Sequence, residues 1–227
     1  MFVLFGREHI AALIVAGLTT VIAVTTVRRG PAEWPARGLR AVLLATLPTL
    51  WVAENAMAWA EGWLTLQIGL PLQLCDVALV LAFTGLITLD RRPVGPLYFL
   101  ALSGTVPALL TPELDENFPG FRFLIYFVPH GLSVLSTFVL VLGYGLVPER
   151  GAWRRTFVLL CAYAAFIGVF NWTFGTNFLY LAGKPRTATP FDWFGPWPWY
   201  ILTLMAGFFC VFFLLDLPLR RLRRQTA

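Results

Sequence analysis

Charge is scarce in this chain: Asp, Glu, Lys and Arg make up 13% of its 227 residues, about half of the roughly 25% usual in a soluble domain. With so little polar surface available, most of the chain is expected to face lipid. Lysine is reduced to Lys184 and histidine to His9 and His130. The last apolar run therefore lacks the lysine a retinal Schiff base needs, and two histidines are too few for a three-histidine zinc site. Neither a metal nor a cofactor is expected. Cys75, Cys161 and Cys210 all fall inside apolar runs, which argues against a disulfide framework. No positive cluster precedes the first apolar run, which reads as a retained helix and not as a cleavable signal. Internal repeats and long connections are also missing, so residues 1–227 are expected to form one domain.

What the chain has is hydrophobicity, 58% of residues with a mean hydropathy of +0.73. Seven runs approach the ~20 residues a bilayer requires: about 9–27, 41–63, 70–89, 94–111, 121–146, 156–182 and 196–216. The expected class is an all-α polytopic membrane protein with seven transmembrane helices and a basic tail over about 217–227. Pro48 and Pro107 fall inside runs and predict kinks or local unwinding. Thirteen of the 17 basic residues lie in one set of connections, at 28–40, 91–92, 150–155 and 220–224; Arg7, Arg122, Lys184 and Arg186 lie in the other. The positive-inside rule then puts the N-terminus outside and the C-terminus inside, as in a multi-pass protein of the cell membrane. The net charge of +5 is accounted for by these runs, so no nucleic-acid partner is expected. The acidic turn at 111–120 and the aromatic run from Asp192 to Tyr200 fall on the outside.

A few polar residues interrupt the apolar runs at one depth. At 1.5 Å per residue, Cys75 and Asp76 lie ~8 Å below the outer surface, His130 ~14 Å, Glu54 and Asn55 ~13 Å, and Asn171 and Asn177 ~6 to 16 Å. Intramembrane acids usually face a bundle interior or a hydrated pocket. One shared cavity in the outer half explains four spans contributing to the same level. Within it, a thiol becomes a nucleophile when a base takes its proton, and His130 is the only imidazole deep in a span. Asp76 or Glu54 is available to orient that imidazole, and Gln73, Asn55 or Asn171 to donate to an oxyanion. Arg122, Lys184 and Arg186, at the outer rim, suit a phosphate.

Several motifs occur in order: Leu70-Pro71-Leu72-Gln73-Leu74-Cys75, Ala108-Leu109-Leu110-Thr111-Pro112, Phe118-Pro119-Gly120-Phe121-Arg122-Phe123 leading to His130-Gly131, Asn177 through Lys184-Pro185, and Gly195-Pro196-Trp197-Pro198-Trp199-Tyr200. Together they resemble the bacterial YwaF-type integral membrane family, which is related to eukaryotic transmembrane protein 164. The resemblance implies a seven-helix fold and, from the eukaryotic relative, phospholipid acyl transfer through a cysteine and a histidine, here Cys75 and His130. The family often has histidine where this chain has Gln73.

The expected function is thus an intramembrane lipid acyltransferase or acyl hydrolase. Its partner would be a phospholipid or lysophospholipid of the outer leaflet. The alternative is a transporter or receptor whose cavity relays protons through Glu54, Asp76 and His130. The missing inverted repeat weighs against a transporter.

Overall fold

A computed structural model describes residues 2–185 and 190–225. Its helices are α1 (Arg7–Arg29), α2 (Trp34–Ala60), the single turn α3 (Leu66–Gly69), α4 (Leu74–Thr88), α5 (Arg91–Leu100), α6 (Val106–Leu110), α7 (Phe121–Phe138), α8 (Ala152–Phe174) and α9 (Trp199–Gln225). A π-helical stretch, Ala101–Thr105, joins α5 to α6, and a second, Val139–Gly143, prolongs α7. No strand occurs among the described residues. Counting α3 with α4 and α5 with α6, seven helices are long and apolar enough to cross a membrane. The protein is an all-α, multi-pass membrane protein.

The N-terminus and the connections at 61–65, 111–120, 175–185 and 195–198 share one end of the bundle, the N-terminal end. The connections at 30–33, 89–90 and 144–151 share the other, the basic end. Half of the apolar window is buried in Arg91–Leu110 and in Phe121–Gly143, against 17% in the spans built on α1, α2, α8 and α9. Those two spans are therefore the centre of the bundle. Close packing is concentrated in the basic half, where Val27, Leu43, Leu86, Leu97, Leu140 and Phe212 are among the residues of one apolar cluster. Near the N-terminal end the packing reduces to a small group, Leu109, Phe123 and Phe127 with Phe2 against them. Between the two clusters the helices leave polar side chains half-buried.

Two contacts fix the level of α4. A Cβ on Gly85 would come 2.9 Å from Leu140 and 3.3 Å from Val94, so only glycine allows α4 to lie this close to α5 and α7. At its basic end Leu89 turns left-handed (φ 49°) and ends the helix. Arg40 then covers the exposed carbonyls, donating from Nε to Leu86 O at 2.5 Å and from Nη2 to Ile87 O at 2.8 Å. A cation at a helix C-terminus is worth about 0.3–1 kcal/mol.

Several span limits differ from the sequence reading. α2 begins at Trp34, not 41, and ends at Ala60. The third run is broken at 70–73, because Pro71 offers no N–H to a continuous helix. The unwinding expected at Pro107 appears one turn earlier, as the π-helical Ala101–Thr105, whereas α2 runs on through Pro48. The sixth span stops at Phe174, where Gly175 takes φ +66°, and residues 175–182 leave the helix. α9 continues to Gln225, so the last helix runs on past 216 through the basic residues. The cause is local: buried Asp216 accepts from Arg220 Nε at 2.9 Å and from Arg223 Nη2 at 2.8 Å, one and two turns on, which supports the last two turns.

Candidate functional site

The break at 70–73 and the loop at 175–183 form the site together. A break inside a span frees backbone groups that must find partners. Leu72 O accepts from Tyr163 Oη of α8 at 2.9 Å. Gln73 and Asp76 close a reciprocal capping box, in which Gln73 N–H donates to Asp76 Oδ2 at 2.9 Å and the Gln73 side chain accepts from the Asp76 amide. Asp76 is thereby held as the cap of α4.

The loop is tied down residue by residue. Each amide from 175 to 183 donates to an acceptor, and polar side chains supply five of the nine bonds. Asn171 Oδ1 takes the Phe178 amide, Gln73 Oε1 the Leu179 amide, Gln67 Oε1 the Asn177 amide, and Asn177 Oδ1 the amides of Ala182 and Gly183. Asn171 Nδ2 also donates to Phe178 O at 2.9 Å. Leu179 and Tyr180 are consequently forced to φ 57° and 54°, a region that side chains other than those of Asn, Asp and Gly rarely enter. Strain of this kind, over-determined by neighbours, tends to accompany function. Asn171→Ala removes a buried donor and acceptor together. Thermal unfolding should report a loss of about 1–3 kcal/mol, with hydrogen exchange accelerated first over 175–183.

The strained turn brings Tyr180 over α4. Its hydroxyl donates to Glu113 Oε2 at 2.9 Å, and Tyr200 Oη donates to its carbonyl. Burial, then the hydrogen bond and charge of Glu113, hold the Tyr180 phenol above the usual tyrosine range. It stays protonated and remains a donor. Cys75 is close enough for its charge to be felt by both Tyr180 and Tyr126.

Cys75 is the second residue of α4, after Leu74, and is half-buried. Leu74 and Cys75, the first two residues of α4, supply first-turn amides that have no carbonyl partner within the helix. Beside the thiol lies Thr105, on the π-helical stretch of the central span. Among the described residues the buried Thr105 hydroxyl has no hydrogen-bond partner of good geometry, and it faces the thiol. A Cβ on Gly104 would meet Leu74 at 2.8 Å, so glycine sets how near this stretch approaches α4.

His130 stands at the same level. α4 and α7 pack together and run parallel, both starting from the N-terminal end, with Gly85 against Leu140. Ten residues back along each helix, ~15 Å at 1.5 Å per residue, come Cys75 and His130. The imidazole stacks on Tyr126 with ring centroids 4.4 Å apart, and its Nδ1 lies 2.7 Å from Tyr126 O. Carbonyl oxygen only accepts, so Nδ1 carries the proton and Nε2 keeps its lone pair. No hydrogen bond joins Cys75 to His130: the thiol has Thr105 beside it and the imidazole has Tyr126. His9, by contrast, is fully buried structural glue, accepting from the Phe5 amide and bonding Leu109 O through its other nitrogen at 2.8 Å.

The remaining expected residues divide. Glu54 lies close enough to Asp76 for the two carboxylates to repel. Asn55 donates to Trp51 O one turn back at 2.9 Å. The roles expected of the side chains need correcting on two points. A backbone carbonyl, not Asp76 or Glu54, orients the imidazole. Asn55 and Asn171 spend their amide nitrogens on Trp51 O and Phe178 O, whereas Gln73 is engaged through Oε1, so the remaining candidate donors are Gln73 Nε2, the first-turn amides and Thr105. Arg122 sits over the Trp63 ring at 4.9 Å and Lys184 over the Tyr200 ring at 5.5 Å; Arg186 lies outside the described residues. Tyr126, Tyr180 and Thr105 were not singled out by sequence, although Tyr126 is one helical turn before His130. Among the described residues no three His, Cys, Asp or Glu side chains converge as metal ligands.

An apolar groove of about 390 Å³ runs between α8 and α9, lined by Ala164, Gly168, Leu181, Ile201 and Met205 among others. Leu181 is the neighbour of Tyr180, so the groove ends on the loop that covers Cys75. The model of the TMEM164 family matches residues 4–216. No curated protein and no solved structure matches the chain.

Proposed function

The chain belongs to the TMEM164 family, and from that membership and the geometry around Cys75 we propose that it is a phospholipid acyltransferase acting within the membrane. The observation that carries this reading is the position of Cys75: a thiol at the start of a helix, beside first-turn amide donors and the Thr105 hydroxyl, level with an imidazole whose Nε2 is free to accept.

In the first half-reaction the Cys75 thiol loses its proton to His130 Nε2 as Sγ attacks the ester carbonyl of a phospholipid. A helix N-terminus favours the thiolate. The tetrahedral oxyanion takes hydrogen bonds from the Leu74 or Cys75 amide and from Thr105. The C–O bond then breaks, the lysophospholipid alkoxide recovers the proton from the imidazolium, and a thioester remains on Cys75. In the second half-reaction the hydroxyl of another lysophospholipid gives its proton to His130 and attacks the thioester. The C–S bond breaks and the thiol is restored. Water in place of the lysolipid would give hydrolysis. The groove between α8 and α9 suits an acyl chain, and Arg122 and Lys184, whose side chains form no ion pair among the described residues, suit the headgroup phosphate. If the N-terminal end faces outward, as the distribution of arginines suggests, the donor is an outer-leaflet phospholipid of the cell membrane and not a cytoplasmic thioester.

Purified protein mixed with a labelled phospholipid and an unlabelled lysophospholipid, with no added thioester, should move label onto the lysolipid. Glu54 beside Asp76 favours a second reading, a proton-relaying transporter. A proton-coupled flux in reconstituted vesicles that Asp76→Asn abolishes, without any exchange of acyl chains, would select that reading instead.

A further inference from the structure

The basic end carries a second built feature, which the acyl-transfer reading leaves unused. A pocket of about 460 Å³ opens between the start of α8 and the end of α9. Arg150 and Arg154 line one side, and Arg220, Arg223 and Arg224 the other, with Asp216 as the one acid. The lining has a formal charge of +4.

Three of its five arginines are held in place. Asp216 is 3% exposed and holds both Arg220 and Arg223. Arg223 Nε also donates to Pro148 O at 2.6 Å, tying α9 to the loop before α8. Arg154 lies over the Trp153 ring at 5.2 Å, and Arg220 over the Phe213 ring at 5.4 Å. Arg220 holds Asp216 through Nε alone, which leaves its terminal nitrogens, with those of Arg154, for a ligand. The N-terminus of α8, capped by Gly151 at φ +77°, adds its positive end to the same pocket. Prearranged guanidinium forks of this kind match phosphate oxygens.

The apolar surroundings indicate what the phosphate is attached to. Phe209, Phe213 and Leu217 are 46%, 40% and 40% exposed and follow α9 from the pocket into its apolar span. A lipid whose phosphate sat in the pocket would lay its acyl chains along that surface.

We propose that this pocket binds the phosphate of an anionic membrane lipid, at the end of the bundle opposite Cys75. The test uses the full chain, purified in a neutral detergent and titrated with phosphatidylglycerol, with affinity read by native mass spectrometry. Arg154→Gln with Arg224→Gln removes two charges of the pocket and touches neither bond of Asp216. Arg28→Gln with Arg29→Gln removes two charges from the same end outside the pocket. Affinity should fall by about tenfold or more in the first variant and change by less than about twofold in the second. Equal losses in both would make the binding a diffuse surface effect and overturn the proposal. Unchanged affinity in both would do the same. Inorganic pyrophosphate binding as tightly as the lipid would assign the pocket to a soluble phosphoanion and refute the lipid. Should the pair of substitutions prevent folding, Arg150→Gln alone against Arg28→Gln alone gives the same comparison at one charge.

Discussion

Cys75→Ala should lower acyl transfer by at least about 1,000-fold, because no other group near the first-turn amides of α4 can hold the acyl chain between the two half-reactions. The fold should survive. The side chain is small and half-buried, its backbone role in the first turn of α4 is kept by alanine, and the capping box of Gln73 and Asp76 does not involve sulfur. Thermal unfolding should therefore move by no more than about 1 kcal/mol. Cys210, exposed on α9, serves as the control: Cys210→Ala should leave turnover unchanged.

His130→Asn should reduce turnover by about 10²–10⁴-fold, the usual worth of a general acid–base group. The choice of asparagine separates chemistry from structure. Its amide nitrogen falls near the place of Nδ1 and can donate to Tyr126 O, which keeps the 2.7 Å contact of the native imidazole, while nothing replaces the Nε2 lone pair. A structural histidine would be satisfied by that substitution. A variant that melts like the native protein but turns over slowly identifies Nε2 as the base; near-native turnover would remove His130 from the mechanism. Because thiol and imidazole are not hydrogen-bonded in this state, substrate binding must bring them together, as often happens between free and bound enzymes.

Seven apolar runs and the helical class were legible in the sequence, since hydropathy and length follow directly from the thickness of a bilayer. The limits of those runs were less so. Asn171, Thr176 and Asn177 are polar residues within an apolar stretch, and only the left-handed turn at Gly175 and the string of amides they satisfy reveal a loop in place of two more helical turns. The end of α9 differed in the opposite sense. The helix runs on past 216 through the arginines, and the spacing of Asp216 to Arg220 and Arg223 is helical and was available to be read.

The site followed the same division. Cys75, Asp76, Gln73 and His130 stand out in sequence because polar groups are costly in hydrocarbon; in the structure Gln73 and Asp76 pair as the cap of α4, and His130 stacks on Tyr126. Their partners did not stand out. The capping box depends on where α4 restarts after Pro71, the imidazole is held by a backbone carbonyl, and backbone groups leave no trace in residue identities. Asn171, Asn177 and Gln73 shape the loop above the thiol through their side-chain oxygens. Tyr180 and Thr105 reach Cys75 only through a strained turn and a π-helical stretch.

The most direct test is to trap the intermediate. Purified protein incubated with a phospholipid, quenched in acid, digested and examined by mass spectrometry should carry a hydroxylamine-sensitive acyl group on the peptide containing Cys75. That adduct should be absent from Cys75→Ala and should disappear when lysophospholipid is added before the quench. Acyl exchange between lipids with Cys75 unmodified throughout, or with full activity in Cys75→Ala, would contradict the account.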